Sequence, residues 1–322
     1  MRSRTLVGSL ALALAVTCTG VVGSASGVAP GKAAPDGPGD KATWTEADKT
    51  GFGTSRSRRS NLWFTLQQGR TSEVFYPDLS TPSVRSLELV VTGDSFTDRE
   101  STDMRHRTVR PDPRSLRFRE VNTDKQGRYK IVETFVSDPR RAALDVSIRL
   151  ISLDGGAYAV YALYDPSLAN TGMNDSGHTA GGALVATDGA KEVASALISQ
   201  PTFDATSTGF LGTSDGWTDL QGDQTLDHAY RRAGVGNIVQ IGRMAGVTGL
   251  PGHHDARLTL AFGTDSAAAQ RTAEASASTP FDATRKRYDR GWHSWLATLK
   301  HVPASVHGLR RQYLASELVV AA

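Results

Sequence analysis

The sequence predicts a mainly β protein: a large antiparallel β-sandwich followed by C-terminal α-helices. Three observations predict it. Short runs of alternating apolar and polar side chains recur from Trp44 to about Gly263. Turn-forming residues separate them, with no helical spacing between. After Gly263 the pattern changes to alanine-rich and aromatic stripes of helical period.

The strands follow in order. Asn61 to Leu66 and Ser72 to Tyr76 flank Gln67-Gln68-Gly69-Arg70, a hairpin turn by composition. Arg85 to Val91, Leu116 to Val121 and Tyr129 to Val136 alternate with the period of a half-buried strand. Leu144 to Ile151 and Tyr158 to Tyr164 continue the series around an Asp154-Gly155-Gly156 turn. Ala183 to Ala186, Val193 to Ile198, Asn237 to Ile241 and Arg257 to Phe262 complete it. Many short strands without helices between them pack as two antiparallel sheets face to face. Ser266 to Ser278 is alanine-rich and fits a helix. Thr279, Pro280 and Asp282 suit the start of a second. Phe281, Tyr288, Trp292, Trp295 and Leu299 then recur at steps of 7, 4, 3 and 4, and Pro303 ends that helix. Ser305 to Ala321 reads as a third.

Ahead of the strands lies an address. Arg2 and Arg4 precede an apolar stretch from Leu6 to Val22, and small residues follow. That is the build of a secretory signal peptide over residues 1–25, cleaved near Ala25, and it implies a secreted, extracellular protein. The stretch is short and interrupted for a membrane anchor, and Ala15-Val16-Thr17 is a poor approach to an acylated Cys18. Residues 26–43, rich in proline, glycine and charge, read as a flexible leader. Cleavage lowers the formal charge from +3 by the two arginines, to +1, and removes Cys18, the one cysteine. Cysteine nucleophiles and thiolate metal sites are thereby excluded from the mature chain. Hydrophobic residues at 39% exclude a fully disordered chain. The balanced charge does not mark a nucleic-acid binder.

Several constellations invite a chemical reading. Asp98-Arg99-Glu100 is a charged cluster expected on a solvated loop. His253-His254-Asp255 suggests a metal, but adjacent side chains on an extended segment point apart and no third ligand is indicated. No metal site is expected, and no cofactor. Gly51 to Ser55 is glycine-rich without the strand-then-helix context of a phosphate cradle. Arg105, Arg107, Arg110, Arg114, Arg117 and Arg119 alternate with apolar or small residues, which reads as the solvent face of strands, a polyanion site being the lesser alternative. Tyr164-Asp165-Pro166 with Asn170 to His178 reads as a polar loop. Such loops suit sugars where aromatics stand beside amides and carboxylates, or simply fold through Asn and Asp turns. His178 is the histidine an epimerase-like site would need, without an identifiable carboxylate partner.

Longer segments carry a resemblance. Trp44-Thr45-Glu46-Ala47-Asp48-Lys49-Thr50-Gly51-Phe52-Gly53-Thr54-Ser55 resembles the opening of bacterial glucoamylases and glucodextranases of glycoside hydrolase family fifteen. The likeness continues through Leu62 to Leu66, Glu73 to Asp78, Ser80 to Arg85, Phe96 to Glu100 and Val121 to Asp124. It recurs at Tyr164 to Pro166, Asn170 to Met173, Tyr288-Asp289-Arg290-Gly291-Trp292 and Leu309-Arg310-Arg311-Gln312-Tyr313.

The resemblance implies a galactose-mutarotase-like supersandwich over 44–264 and a helical linker over 265–303. It implies the start of an (α/α)6 catalytic barrel at 304–322. In that family the barrel carries two catalytic glutamates that hydrolyse with inversion, so no catalytic residue is expected here. Glu317 is not one of them by position, and the substrate-binding residues stay unassigned. The chain is expected to be truncated before the barrel and inactive as a fragment. It would be the N-terminal domain of an exo-acting α-glucan hydrolase, either a glucan 1,4-α-glucosidase or a glucodextranase. Its expected partners are an α-glucan (starch, maltooligosaccharide or dextran) and the barrel on which it packs, with no nucleic acid and no membrane after cleavage. The alternative is a stand-alone secreted carbohydrate-binding module.

Overall fold

The computed structural model describes residues 31–247 and 252–322. The signal-peptide reading and Cys18 lie outside these residues. The strands are, in order, β1 (Gly51–Thr54), β2 (Trp63–Gln67), β3 (Arg70–Phe75), β4 (Pro82–Gly93) and β5 (Phe96–Arg99), then helix α1 (Glu100–Asp103). Next come β6 (Met104–Val109), β7 (Phe118–Asp124), β8 (Tyr129–Ser137), β9 (Ala143–Ser152) and β10 (Ala159–Pro166). β11 (Asp175–Ala180), β12 (Ala183–Asp188), β13 (Val193–Gln200) and β14 (Phe203–Phe210) precede α2 (Gly216–Asp223). β15 (Arg232–Gly236), β16 (Ile238–Met244) and β17 (His253–Gly263) end the β-body. α3 (Ser266–Ala277), α4 (Phe281–Leu296) and α5 (Arg310–Val320) follow.

Two antiparallel sheets face each other. One has eight strands, in the order β1-β2-β3-β4-β10-β16-β14 with β5 paired to β4. The other has nine, in the order β15-β11-β12-β13-β17-β9-β8-β7-β6. Alternation puts Phe64, Leu66, Leu89, Val91 and Val160 of the first sheet against Tyr129, Ile131, Phe135, Val146 and Leu260 of the second. The Phe64 and Phe135 rings meet 6.2 Å apart across the interface. The β2–β3 hairpin turns through Gln68 and Gly69, both at positive φ. That geometry matches the strand twist, and a side chain at Gly69 would stand 2.3 Å from the His106 ring.

Helices close the outer surfaces. α3 lays Ala269 and Ala273 on Ala143, Ala194, Ala196 and Ala261 of the nine-stranded sheet; the alanines let helix and sheet approach closely. Arg257 pairs with the buried Asp145 at 2.6 Å and donates to the carbonyls of Ser276, Ala277 and Thr279, satisfying the end of α3. α2 sets Leu220 on Val90, Leu163 and Ile241 of the other sheet. α4 and α5 bury Tyr288, Trp292 and Leu318 against Leu116 and Val136.

Several expectations need correction. α1 and α2 interrupt the strands, which the alternation pattern did not predict; both are too short to show a period. α4 stops at Leu296, well before Pro303, and Ala304–Leu309 is a 3-10 turn leading into α5. The segment read as a flexible leader is held from Lys32 to Asp40 by backbone bonds. Arg231 donates to Lys32, Ala34 to Arg232, Asn237 to Pro38 and Asp40 to Leu211. Unpaired backbone at the sheet edge is what it satisfies.

Candidate functional site

The charged triple Asp98-Arg99-Glu100 is not a solvated loop. It is the hub of a buried polar network. β5 and α1 fold back over β4; Asp98 and Glu100 reach the nine-stranded sheet, and Arg99 turns to the outer face of β4. Asp98 accepts from the Tyr129 hydroxyl at 2.8 Å and from Arg128 at 2.6 Å. Arg99 pairs with Glu88 and lies over the Trp217 ring. Glu100, fully buried, accepts from the backbone N–H of Leu89 at 2.6 Å and from the Asn122 amide at 2.8 Å. Burial is tolerated because these groups are hydrogen-bonded.

Two chemistries meet at the hub. On the outer side of β4, burial works against the Glu88 charge, but Arg99 and Arg70 outweigh it and hold the carboxyl below its ordinary range. Ser101 adds a bond at 2.7 Å. Between the sheets, Glu100, Glu120 and Glu133 lie together without a cation. Burial, helped by the neighbouring Glu88 charge, raises Glu100 to about 8. Glu133 is pushed well up by burial and by the Glu100 and Glu120 carboxyls, and it shares a hydrogen bond with Glu100. Burial raises Glu120 to about 7; one of its oxygens takes Thr108 at 2.7 Å and the other has no partner. The pair Glu100–Glu133 therefore holds a proton at neutral pH, because two adjacent buried carboxylates cannot both ionise.

A strap, residues 42–50, crosses the outer face of the eight-stranded sheet. Thr43 binds Arg85, Asp48 and Glu46 bind Gln67, and Lys49 binds Glu73 at 3.0 Å. Arg85 also holds Asp165 at 3.2 Å, a carboxyl that burial lifts to about 6. Trp44 on the strap is 75% exposed. The structure thus gathers Glu46, Asp48, Arg85, Asp98 to Glu100 and Asp165, residues from four separated segments, on and around β4. Spacing could not show this convergence. Glu120, Asn122 and Glu133 fall in segments read as strands or as family likeness but were not singled out as site residues; their inward positions in the strand alternation were the available signal.

Other candidates sit elsewhere. Tyr164 bridges the sheets to Ser195 at 2.7 Å. The expected loop after it is a short turn at Leu168–Asn170 and then β11. The turn passes through Ala169 and Asn170 at positive φ, and Asp175 accepts the Leu168 N–H. His178 is half-buried on β11; burial lowers its pKa, and no hydrogen bond to its ring occurs among the described residues. Gly51 to Thr54 is an edge strand, where a Cβ at Gly53 would meet the Phe64 ring at 2.3 Å. His253 to Asp255 opens β17, with Asp255 bound to Arg149 at 2.6 Å. In the arginine run, Arg105, Arg107 and Arg119 do face outward, but Arg117 is buried and paired with Asp289 at 3.2 Å. Glu317 lies on α5 with Tyr313, lining a cavity of about 470 Å³ beside Lys300 and Arg310.

The hub is sealed. Glu88, Glu100, Glu120 and Glu133 are each no more than 4% exposed. It can store protons and lock the sheets together; a substrate cannot reach these carboxyls in this conformation. Among the described residues no helix is long and apolar enough to cross a membrane.

Residues 34–297 match the family described as "Glucodextranase, domain N". A glucoamylase of Clostridium sp. (strain G0005) is 29% identical over 279 residues, which cover 85% of this chain and 39% of that protein. The crystal structure of a bacterial glucoamylase complexed with acarbose matches with a TM-score of 0.83 at 29% identity, covering 90% of this chain and 43% of that one. The chain therefore spans about two-fifths of the length of the relatives it matches.

Proposed function

The chain belongs to the glucodextranase domain N family, and on that premise we propose that it is the sandwich domain and helical linker of a secreted, exo-acting α-glucan hydrolase of the glucoamylase type. The domain stands beside an (α/α)6 catalytic domain and braces its active-site side. Hydrolysis, with one carboxylate activating water and another protonating the leaving oxygen, is the work of that partner domain. The sealed hub supplies neither group, so this chain alone releases no glucose. The observation that carries the reading is the extent of the match: at a TM-score of 0.83 it covers 90% of the chain.

The test is glucose release from maltooligosaccharides, starch and dextran by the purified chain. The expected result is none, and robust release overturns the reading. Trp44, exposed on the polar strap, favours a second reading, a stand-alone carbohydrate-binding module. Saturable heat on titrating starch or dextran, without turnover, would support that one instead.

A further inference from the structure

One large sheet face is left open, and its side chains are not a random sample of the chain. The register fixes cross-strand rows on the outer face of β6 to β9. One row runs Arg107, Val121, Val132 and Arg149, ending on Asp255 of β17. The next carries Arg105, Thr123 and Lys130; the third carries Arg119, Thr134 and Ser147. α3 covers the far half of the sheet and α4 one end, so these rows stay at the surface. Five cations meet one carboxylate there, in a chain whose total is 36 basic against 33 acidic residues. Asp255 is already taken by Arg149. Arg107, Arg119 and Lys130 enter no ion pair among the described residues.

The face has shape as well as charge. A groove of about 940 Å³ runs along the first and third rows and under the start of α4, where Arg117 and Arg285 join Arg119 and Arg149. Asp282 at its mouth is bound to Arg285 at 3.1 Å, and Arg117 to Asp289. Four strands span roughly 14 Å, and cations two residues apart on a strand stand roughly 7 Å apart.

We propose that this face binds a linear anionic glycan, one with a carboxylate, sulfate or phosphate in each repeat. Repeated anions match cations set at strand spacing. Threonine and serine hydroxyls between them bind sugar hydroxyls, and the valines pack on the C–H face of a ring. The three rows carry no aromatic side chain, and the groove adds the single ring of Phe281, so successive bases find no series of rings to stack on, which favours a glycan over a single-stranded nucleic acid. The proposal is independent of the glucan chemistry above, since a neutral glucan has no use for the cations.

The test uses the full chain in calorimetric or surface-based titration against dextran sulfate, dextran phosphate and polygalacturonate, with neutral dextran of equal length beside them. Binding to at least one polyanion and none to neutral dextran is expected, weakening at least tenfold from low to physiological salt as exposed charges are screened. Arg107→Glu with Arg119→Glu, on exposed positions, should weaken binding at least tenfold while the thermal midpoint holds. Arg58→Glu with Arg59→Glu makes the same charge change on a different exposed loop and should leave most of the affinity. An equal loss in both variants, equal binding of neutral dextran, or tighter binding of a single-stranded oligonucleotide overturns the proposal, as does no binding to any polyanion.

Discussion

The buried carboxyls set the pH at which this fold is firmest, and the direction follows from linkage. Glu100 sits at about 8 in the folded chain, against about 4.3 for an unperturbed glutamate. Below that ordinary value both states carry the proton and the full stability is present. As pH rises the unfolded chain releases the proton first, so stability falls until about 8 and then levels off. The proton belongs to the Glu100–Glu133 pair, and each pH unit over which only the unfolded chain has released it costs about 1.4 kcal/mol. Asp175, raised by burial to about 8, and Glu120, raised to about 7, act in the same direction. Asp124 acts oppositely: the bonds from Arg128 outweigh burial and lower it to about 2, so its contribution is lost as pH falls through that value. The optimum therefore lies near pH 4 to 5. Since domains are stable by about 5–15 kcal/mol, the alkaline loss is a large share. The assay is urea unfolding followed by tryptophan fluorescence from pH 4 to 9. Glu133→Gln keeps a donor toward Glu100 and cannot ionise, so it should match the parent near pH 4.5 and exceed it at pH 8.5. A flat or rising parent curve between pH 5 and 8, or a variant curve parallel to the parent's, refutes the reasoning.

Two further outcomes test the helices. Trp292→Ala removes a fully buried indole and its bond to the Thr54 carbonyl at 3.0 Å; about 3–5 kcal/mol should be lost in urea unfolding. Arg257→Ala leaves Asp145 buried without its cation and frees the carbonyls ending α3. It should cost about 3–5 kcal/mol, and Asp145→Asn placed on top should recover part of it, measured as a double-mutant cycle.

The hub also explains why the two sheets and the β5–α1 segment should unfold together. Asn122 of the nine-stranded sheet donates to Glu100 and to the Gly69 carbonyl of the other sheet, 2.8 Å each. Separating the sheets exposes or orphans every member, and an orphaned buried polar group costs about 1–3 kcal/mol. Polar groups here specify one sheet pairing, where apolar side chains alone would tolerate several.

The sequence by itself determined the fold class and most strands, because alternation is a local consequence of strand geometry. Tyr129 to Val136 needed only its own side chains to be read, and β8 runs from Tyr129 to Ser137. Family likeness was legible too, in segments whose residues are adjacent. Elements with weak local patterns were lost: β1 is half glycine, and β11, reading DSGHTA, is polar. They become strands because neighbours offer backbone partners, a tertiary decision. The hub belonged wholly to the tertiary structure. Asp98-Arg99-Glu100 is charged, and charge predicts exposure. Only the fold placed Glu88 beside Arg99 and Asn122 beside Glu100, partners 11 and 22 residues away. The same holds for the cationic face. The arginines were visible in the chain, but their partition into outward Arg107 and Arg119 and buried Arg117 depends on strand parity and on where α4 lands. Local chemistry fixes what a segment can become; burial and charge are properties of what the rest of the chain brings to it.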